Sequence, residues 1–317
     1  DAAPGSLVGR RPDGTEELLF LTERERGVTL FSRFLRRRMR SFGSLEVAGS
    51  YIREQRDLLN ADLNPSRRFN VGLPTRDLLQ ARITLSGDNA RVHPFSISRE
   101  DGIGGSLQLR ARQEINLPDT LSGALGTDRS FQDAVGRVRA YKGFPLFGFA
   151  NHAVALRATG GVARDAGADA FHYEVGGATG RIETVSSLGL FGGSSVLFPV
   201  RGFREGDRFG RYAWSASAEY RVPIVLAHEG LGLLPLYFDR IAGSLFVDVG
   251  NAWGPELESE SRQFRNPRQE PLVSAGGELL ITTLPFFTTP LTVRTGLAFL
   301  LQGRTGTSGY VRLGVAF

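Results

Sequence analysis

Apolar and polar residues alternate singly along much of this chain, and most clearly toward its C-terminus. From Tyr212 to Val222 one face carries Tyr212, Trp214, Ala216, Ala218, Tyr220 and Val222, and the other Ala213, Ser215, Ser217, Glu219 and Arg221. Leu245, Val247, Val249 and Trp253 share a face opposite Ser244, Asp248 and Gly250. Leu291, Val293, Leu297 and Phe299 alternate with Thr292, Arg294, Gly296 and Ala298. The terminus continues the pattern, with Val311, Leu313, Val315 and Phe317 against Tyr310, Arg312, Gly314 and Ala316. A period of two is the strand period, and a helix does not produce it. Weaker versions run through Ala81–Leu85, Leu107–Ala111 and Val154–Ala158, with further candidates near 44–54, 133–143 and 272–283. The pattern predicts roughly a dozen strands of about 9–12 residues, long enough to cross a bilayer at a tilt.

The connections between these stretches are unequal. Residues 60–77 and 254–271 read as polar loops rich in turn formers. The stretch from about 163 to 211 is glycine-rich and has no clean alternation, and a connection this long is usually functional. Residues 1–40 are the least readable part, with one strand candidate at Thr29–Leu35 and a basic run of Arg33, Arg36, Arg37, Arg38 and Arg40. That run reads as a solvated rim, or as a contact with anionic lipid headgroups.

Composition alone suggests a soluble protein: 41% of residues are hydrophobic, 22% are charged, and the mean hydropathy is -0.13. A transmembrane β-barrel gives the same values, because only every second residue of its strands faces lipid. No apolar run approaches the roughly 18 residues of a transmembrane helix. The 40 glycines argue against a helical protein. The start, Asp1-Ala2-Ala3-Pro4-Gly5, carries no targeting segment, so either a signal has been removed or this is the C-terminal part of a longer polypeptide.

The net charge is +5, and nearly all the basic residues are arginine. Arg82, Arg110, Arg112, Arg137, Arg139, Arg157, Arg221, Arg294 and Arg312 fall on the polar faces of the strands. A nucleic-acid binder would gather them in one patch, so no nucleic-acid partner is expected. A soluble β-sandwich with one wet face is the bland alternative, but it calls for shorter strands and a more mixed wet face. A barrel with a basic lumen accounts for both features. Tyr212, Tyr220, Trp253 and Phe317, near strand ends, suit the aromatic girdles of such a barrel.

Candidate chemistry is sparse. With no cysteine there is no disulfide, thiolate site or Cys nucleophile. His93, His152, His172 and His228 lack metal-ligand spacing. No Gly-x-Ser-x-Gly elbow occurs, and Gly102-Ile103-Gly104-Gly105 and Gly192-Gly193 read as turn glycines. Glu256, Glu258 and Glu260 alternate in a loop and read as solvated, with an exposed cation site as the alternative. The expectation is no catalytic residue, no metal, no cofactor and no enzymatic activity.

Four motifs carry a family resemblance. They are Val200-Arg201-Gly202-Phe203, Ala218–Pro223, Phe246–Trp253 with Asp248 at its centre, and the terminal Val311–Phe317. Their order and content resemble the C-terminal barrel of the Omp85 family, the BamA/TamA or surface-antigen D15 group. The resemblance implies a sixteen-stranded outer-membrane barrel, where about a dozen strands are readable. It also implies a long loop folded into the lumen, with Arg201 at its tip paired to acidic residues of the inner wall. Asp248 and Glu219 occupy the family's acidic positions, and the alternation separately places both on the polar side. Val311, Leu313, Val315 and Phe317 resemble the family's C-terminal outer-membrane signal.

On this reading residues 1–40 are a poorly defined N-terminal segment with room for the first strand or strands, and 41–317 form the barrel with its lumen loop at about 163–211. By resemblance the function is insertion, assembly or translocation of proteins at the outer membrane of a bacterium or of an endosymbiotic organelle. The implied partners are the lipid bilayer, unfolded outer-membrane or secreted proteins, and periplasmic or lipoprotein components. The alternatives are an anchoring barrel in a larger surface complex and a passive, anion-preferring pore.

Overall fold

The computed structural model describes residues 6–10, 16–59, 75–93, 95–116, 130–164, 173–177, 198–204, 206–230, 232–254, 270–286 and 291–315. Among them there is no helix. The strands are β1 (Ser6–Arg10), β2 (Glu16–Arg38), β3 (Ser41–Leu59), β4 (Arg76–Asp88), β5 (Asp101–Glu114), β6 (Ser130–Phe144) and β7 (His152–Arg164). They continue with β8 (Tyr173–Val175), β9 (Arg208–Gly210), β10 (Tyr212–Gly230), β11 (Leu236–Trp253), β12 (Leu272–Pro285), β13 (Leu291–Gln302) and β14 (Gly306–Val315). Twelve of them form one antiparallel sheet in chain order, β1 to β7 and then β10 to β14, while β8 and β9 pair separately. Among the described residues the ends β1 and β14 form no ladder with each other.

The register turns the alternation of the sequence into two surfaces. Leu45, Leu85 and Leu107 are consecutive cross-strand neighbours, as are Leu156, Ala218 and Val247 farther round. Exposed apolar side chains recur on the outer face, among them Leu30, Ile83, Leu109, Val138, Leu245, Leu279, Phe299 and Val311. A belt of this extent is too large for a water-facing surface and matches a lipid-facing one. On the inner face, arginines are tied to carboxylates: Arg110 to Asp133, Arg76 to Glu114, and Arg33 and Arg82 to Glu46. Pairing in the low-dielectric interior requires such partners, since an uncompensated buried charge is costly.

Two aromatic clusters bound the belt. At one end Tyr212 stacks on Trp253, with ring centroids 6.0 Å apart. At the other, Phe144 stacks on Tyr220 at 6.2 Å, and the buried His152 sits between them and Phe147. His152 Nε2 donates to the Phe147 carbonyl, which leaves Nδ1 to accept from the Tyr220 hydroxyl at 2.7 Å. Tyr212 and Tyr220 are eight residues apart on β10, about 27 Å along the strand and about 20 Å along the normal at the usual tilt. That is close to the apolar height of an outer-membrane barrel, about 25 Å. Phe317, the fourth girdle candidate, lies outside the described residues.

The strands differ from the sequence expectation mainly in length. β2 runs 23 residues, and β3 and β10 run 19 each. β2 and β3 pair as far as Phe20↔Leu59, beyond the last β3–β4 partners at Glu54↔Arg76. The extension begins at Arg24 and Glu23, and with Glu25 and Arg26 beside it four charged residues run in succession, so no apolar contrast marks the strand there. β2 thereby belongs to the main sheet, although its first half showed no alternation. The twelve-stranded sheet matches the dozen readable strands and is four short of the sixteen that the resemblance implies.

Connections at one end of the sheet are short except between β4 and β5. There, residues 89–100 form a strap reaching β11, four places away in the sheet order. Arg240 on β11 donates to the Ser96 carbonyl at 2.5 Å, and the Phe95 ring lies 6.3 Å from that of His228. Glu100, itself buried, accepts from Ser96 Oγ at 2.6 Å and from Asn151 at 2.8 Å. Because the chain has no native cysteine, the seating is simple to test. The Phe95→Cys/His228→Cys pair is expected to be bridged by a short bifunctional thiol reagent in the folded protein and not after unfolding, read as a gel shift. A folded pair that never cross-links would mean that the strap is not seated.

Candidate functional site

The site begins with the loop between β7 and β10, which folds back inside the sheet. Short backbone contacts hold its described parts together: Gly176 N–H donates to the Phe198 carbonyl at 3.1 Å, and Gly177 N–H to that of Phe203 at 3.0 Å. Tyr173, Val175, Phe198, Val200 and Phe203 form an apolar plug. They pack on the wall residues Val135, Ala163, Ala213, Ala252 and Leu272. Burying each large apolar side chain of the plug contributes about 2 kcal/mol. The Tyr173 hydroxyl ends on the Asp133 carboxylate at 3.2 Å, so its polar end is satisfied too.

Arg201 turns inward between Val200 and Phe203 and is fully buried. Its Nε donates to Asp248 Oδ2 at 2.6 Å, and one terminal amine to Asp248 Oδ1 at 2.7 Å, a bidentate fork. That same amine donates to Ser217 Oγ at 2.9 Å, and the Arg201 backbone N–H adds a third bond to Asp248 at 3.0 Å. The other terminal amine lies 2.9 Å from Glu219 and 3.2 Å from Glu278. It aligns with neither as a hydrogen bond, so those two contacts act as charge attraction. The guanidinium carbon sits 3.6 Å over the centre of the Phe246 ring. Burial lowers the guanidinium's pKa, but the hydrogen bonds and charges of Asp248, with those of Glu219 and Glu278, outweigh that and raise it above ordinary arginine.

Two glycines make room for this arrangement. Gly202 has φ +90°, and a Cβ there would lie 2.7 Å from the Ala298 Cβ and 2.8 Å from Leu300. Gly276 lies under the Phe246 ring, where a Cβ would meet Phe246 Cζ at 2.7 Å. At Gly202 the close approach of loop and wall excludes a side chain, and at Gly276 the neighbouring wall strands do, with the Leu297 carbonyl against the Cβ position.

The sheet positions the partners by register. Ser217 and Asp248 are directly opposite each other on β10 and β11, as are Glu219 and Phe246, and Ser244 of β11 faces Glu278 of β12. All of these residues share the inner face. The structure thus brings Arg201 together with Asp248 and Glu219, the two acidic residues singled out in the sequence. It adds Ser217, Glu278 and Phe246, which sequence reasoning did not select. Glu278 had a weak signal, as the lone charge within Leu272–Pro285. Tyr310 on β14 donates to Glu278 at 2.7 Å, and Arg221 to Glu219 at 2.9 Å, so the clamp extends across β10 to β14.

The other candidates lie elsewhere. Val311 is exposed on the outer face of β14, and Leu313 and Val315 continue its ladder opposite Val293 and Leu291. Phe317, His172, the glutamates 256, 258 and 260, and Gly192-Gly193 are outside the described residues. His93, His152 and His228 sit in three different settings, and no group of metal-ligating side chains occurs among the described residues. The arginines on the inner face include cross-strand neighbours Arg139↔Arg157, Arg294↔Arg312 and Arg82↔Arg110. The arrangement can bind anionic groups and brace a loop.

No family model and no curated protein matches the chain. Among solved structures it is similar to CdiB from Escherichia coli, at 13% identity and a TM-score of 0.56. The likeness covers 98% of this chain and 48% of that one, so the chain spans about half of that protein's length. At this identity the likeness shows a shared fold and nothing finer.

Proposed function

We propose that this chain is the barrel of an outer-membrane Omp85-type protein that inserts or translocates other proteins. The observation that carries the reading is the lumen clamp: the Val200–Phe203 motif folds inward and places Arg201 on Asp248. The outer apolar belt with its two aromatic clusters supports the outer membrane as its location. The edge strands β1 and β14, which do not pair with each other among the described residues, support a mechanism of β-augmentation, in which an incoming strand pairs with exposed backbone groups. Binding supplies the driving force, without nucleotide or covalent chemistry.

A photo-crosslinking residue at Val311, on the edge strand β14, tests the reading. Adducts with unfolded outer-membrane or secreted polypeptides are expected in cells, and none from a position on β6 in mid-sheet. A folded barrel that captures no polypeptide at Val311 would argue for the anchoring role instead. The cross-strand arginine pairs of the inner face favour an anion-preferring pore as the second reading. A reversal potential shifted toward the anion in a salt gradient would support it.

A further inference from the structure

The hairpin joining β2 to β3 has no part in the clamp or in strand capture. We propose that its tip is a docking surface for anionic phospholipid headgroups in the leaflet at the short-turn end. The proposal rests on the membrane-spanning reading of the barrel. Arg36, Arg37, Arg38 and Arg40 crowd around the turn at Met39–Arg40, and all four are exposed. None makes an ion pair or hydrogen bond among the described residues. The carboxylates nearby are committed: Glu46 holds Arg33 and Arg82, and Asp88 at the end of β4 holds Arg99. Four unneutralised cations this close repel one another, and an anionic partner relieves the repulsion.

The position of the tip selects the anion. Phe34, Leu45, Leu85 and Leu107 are consecutive cross-strand neighbours on the outer face. Arg36 and then Arg38 follow Phe34 on that same face toward the tip. Their side chains begin about 7 and 14 Å past the apolar row, where long basic side chains snorkel into the headgroup layer. In register beside Arg36 come Gly43, Gly87 and Gly105, a strip without side chains. Above Gly43 and Gly87 no atom comes closer than 3.6 Å to the Cβ position, so the strip is open there, while at Gly105 the Arg137 carbonyl comes to 3.0 Å and closes its far end. A lipid's glycerol and upper acyl chain fit along the glycines, with its phosphate under the guanidinium forks. An acidic protein segment would satisfy the charge but not the apolar row that leads into it.

The test uses Met39→Cys, fully exposed at the turn and the only thiol in the chain, carrying a nitrobenzoxadiazole label. The protein is reconstituted in phosphatidylcholine vesicles containing a minor fraction of nitroxide-bearing phosphatidylglycerol or nitroxide-bearing phosphatidylcholine. Quenching by the anionic lipid is expected to be stronger, with a selectivity of roughly tenfold or more. It should vanish at about 1 M salt, where screening acts within about 3 Å. It should also vanish in a variant with Arg36→Gln, Arg37→Gln, Arg38→Gln and Arg40→Gln that keeps the heat-shifted band of a folded barrel. Equal, non-zero quenching by both lipids overturns the proposal, as does a label that responds only to added polyglutamate. No quenching by either lipid, together with loss of the heat-shifted band, overturns the membrane reading beneath it.

Discussion

Replacing Arg201 with alanine is expected to cost about 3–5 kcal/mol, the usual loss when one partner of a buried ion pair is removed. The substitution leaves Asp248 and the Glu278 side chain fully buried, and Glu219 nearly so, without their central cation. Arg221 and Arg294 remain nearby but approach from the wall and do not replace the fork on Asp248. The measurement is the denaturant midpoint of the heat-shifted gel band, together with protease cleavage of the 165–211 connection. Arg201→Lys keeps the charge but not the planar fork, and should recover only part of the loss. The double variant Arg201→Ala/Asp248→Ala should be more stable than the sum of the single losses, because it removes the orphaned charge as well. Additive losses would mean that the two side chains do not act as a pair.

Phe198→Ala is expected to be as damaging by a different route. Phe198 is fully buried and packs edge-on against Tyr173 with ring centroids 5.2 Å apart. Truncating a buried phenylalanine costs about 3–5 kcal/mol through lost transfer energy and the cavity left behind. Here the clamp keeps its charges, so the loss should be insensitive to salt. A cavity-filling Phe198→Leu should restore most of it. If Phe198→Ala left the midpoint and the protease resistance unchanged, the apolar plug would contribute nothing to holding the loop.

Much of this architecture is legible in one dimension, because a strand assigns its faces by parity alone. Parity put Asp248 and Glu219 on the inside and Val311 and Leu245 on the outside. It failed where both neighbours are charged, as at Glu23–Arg26, and where no strand exists, as in the strap at 89–100. Parity also says nothing about height. Glu278 belongs to the clamp because register sets it beside Ser244, level with the tip of the loop, and that level is fixed only when β11 and β12 pair. The same holds for Phe246, whose apolar ring on the inner face is explained by the guanidinium above it.

Every side chain that holds Arg201 comes after it in the chain: Ser217, Glu219, Phe246, Asp248 and Glu278. An arginine synthesised before all its partners has no seat to enter until β12 is in place. The seat of the guanidinium is therefore complete only when β10, β11 and β12 have paired. The earlier wall, β3 to β6, carries its own ion pairs, such as Arg53 with Asp77 and Arg110 with Asp133. Those pairs need nothing from the loop or from the strands after it, so the two walls are held by separate sets of charges.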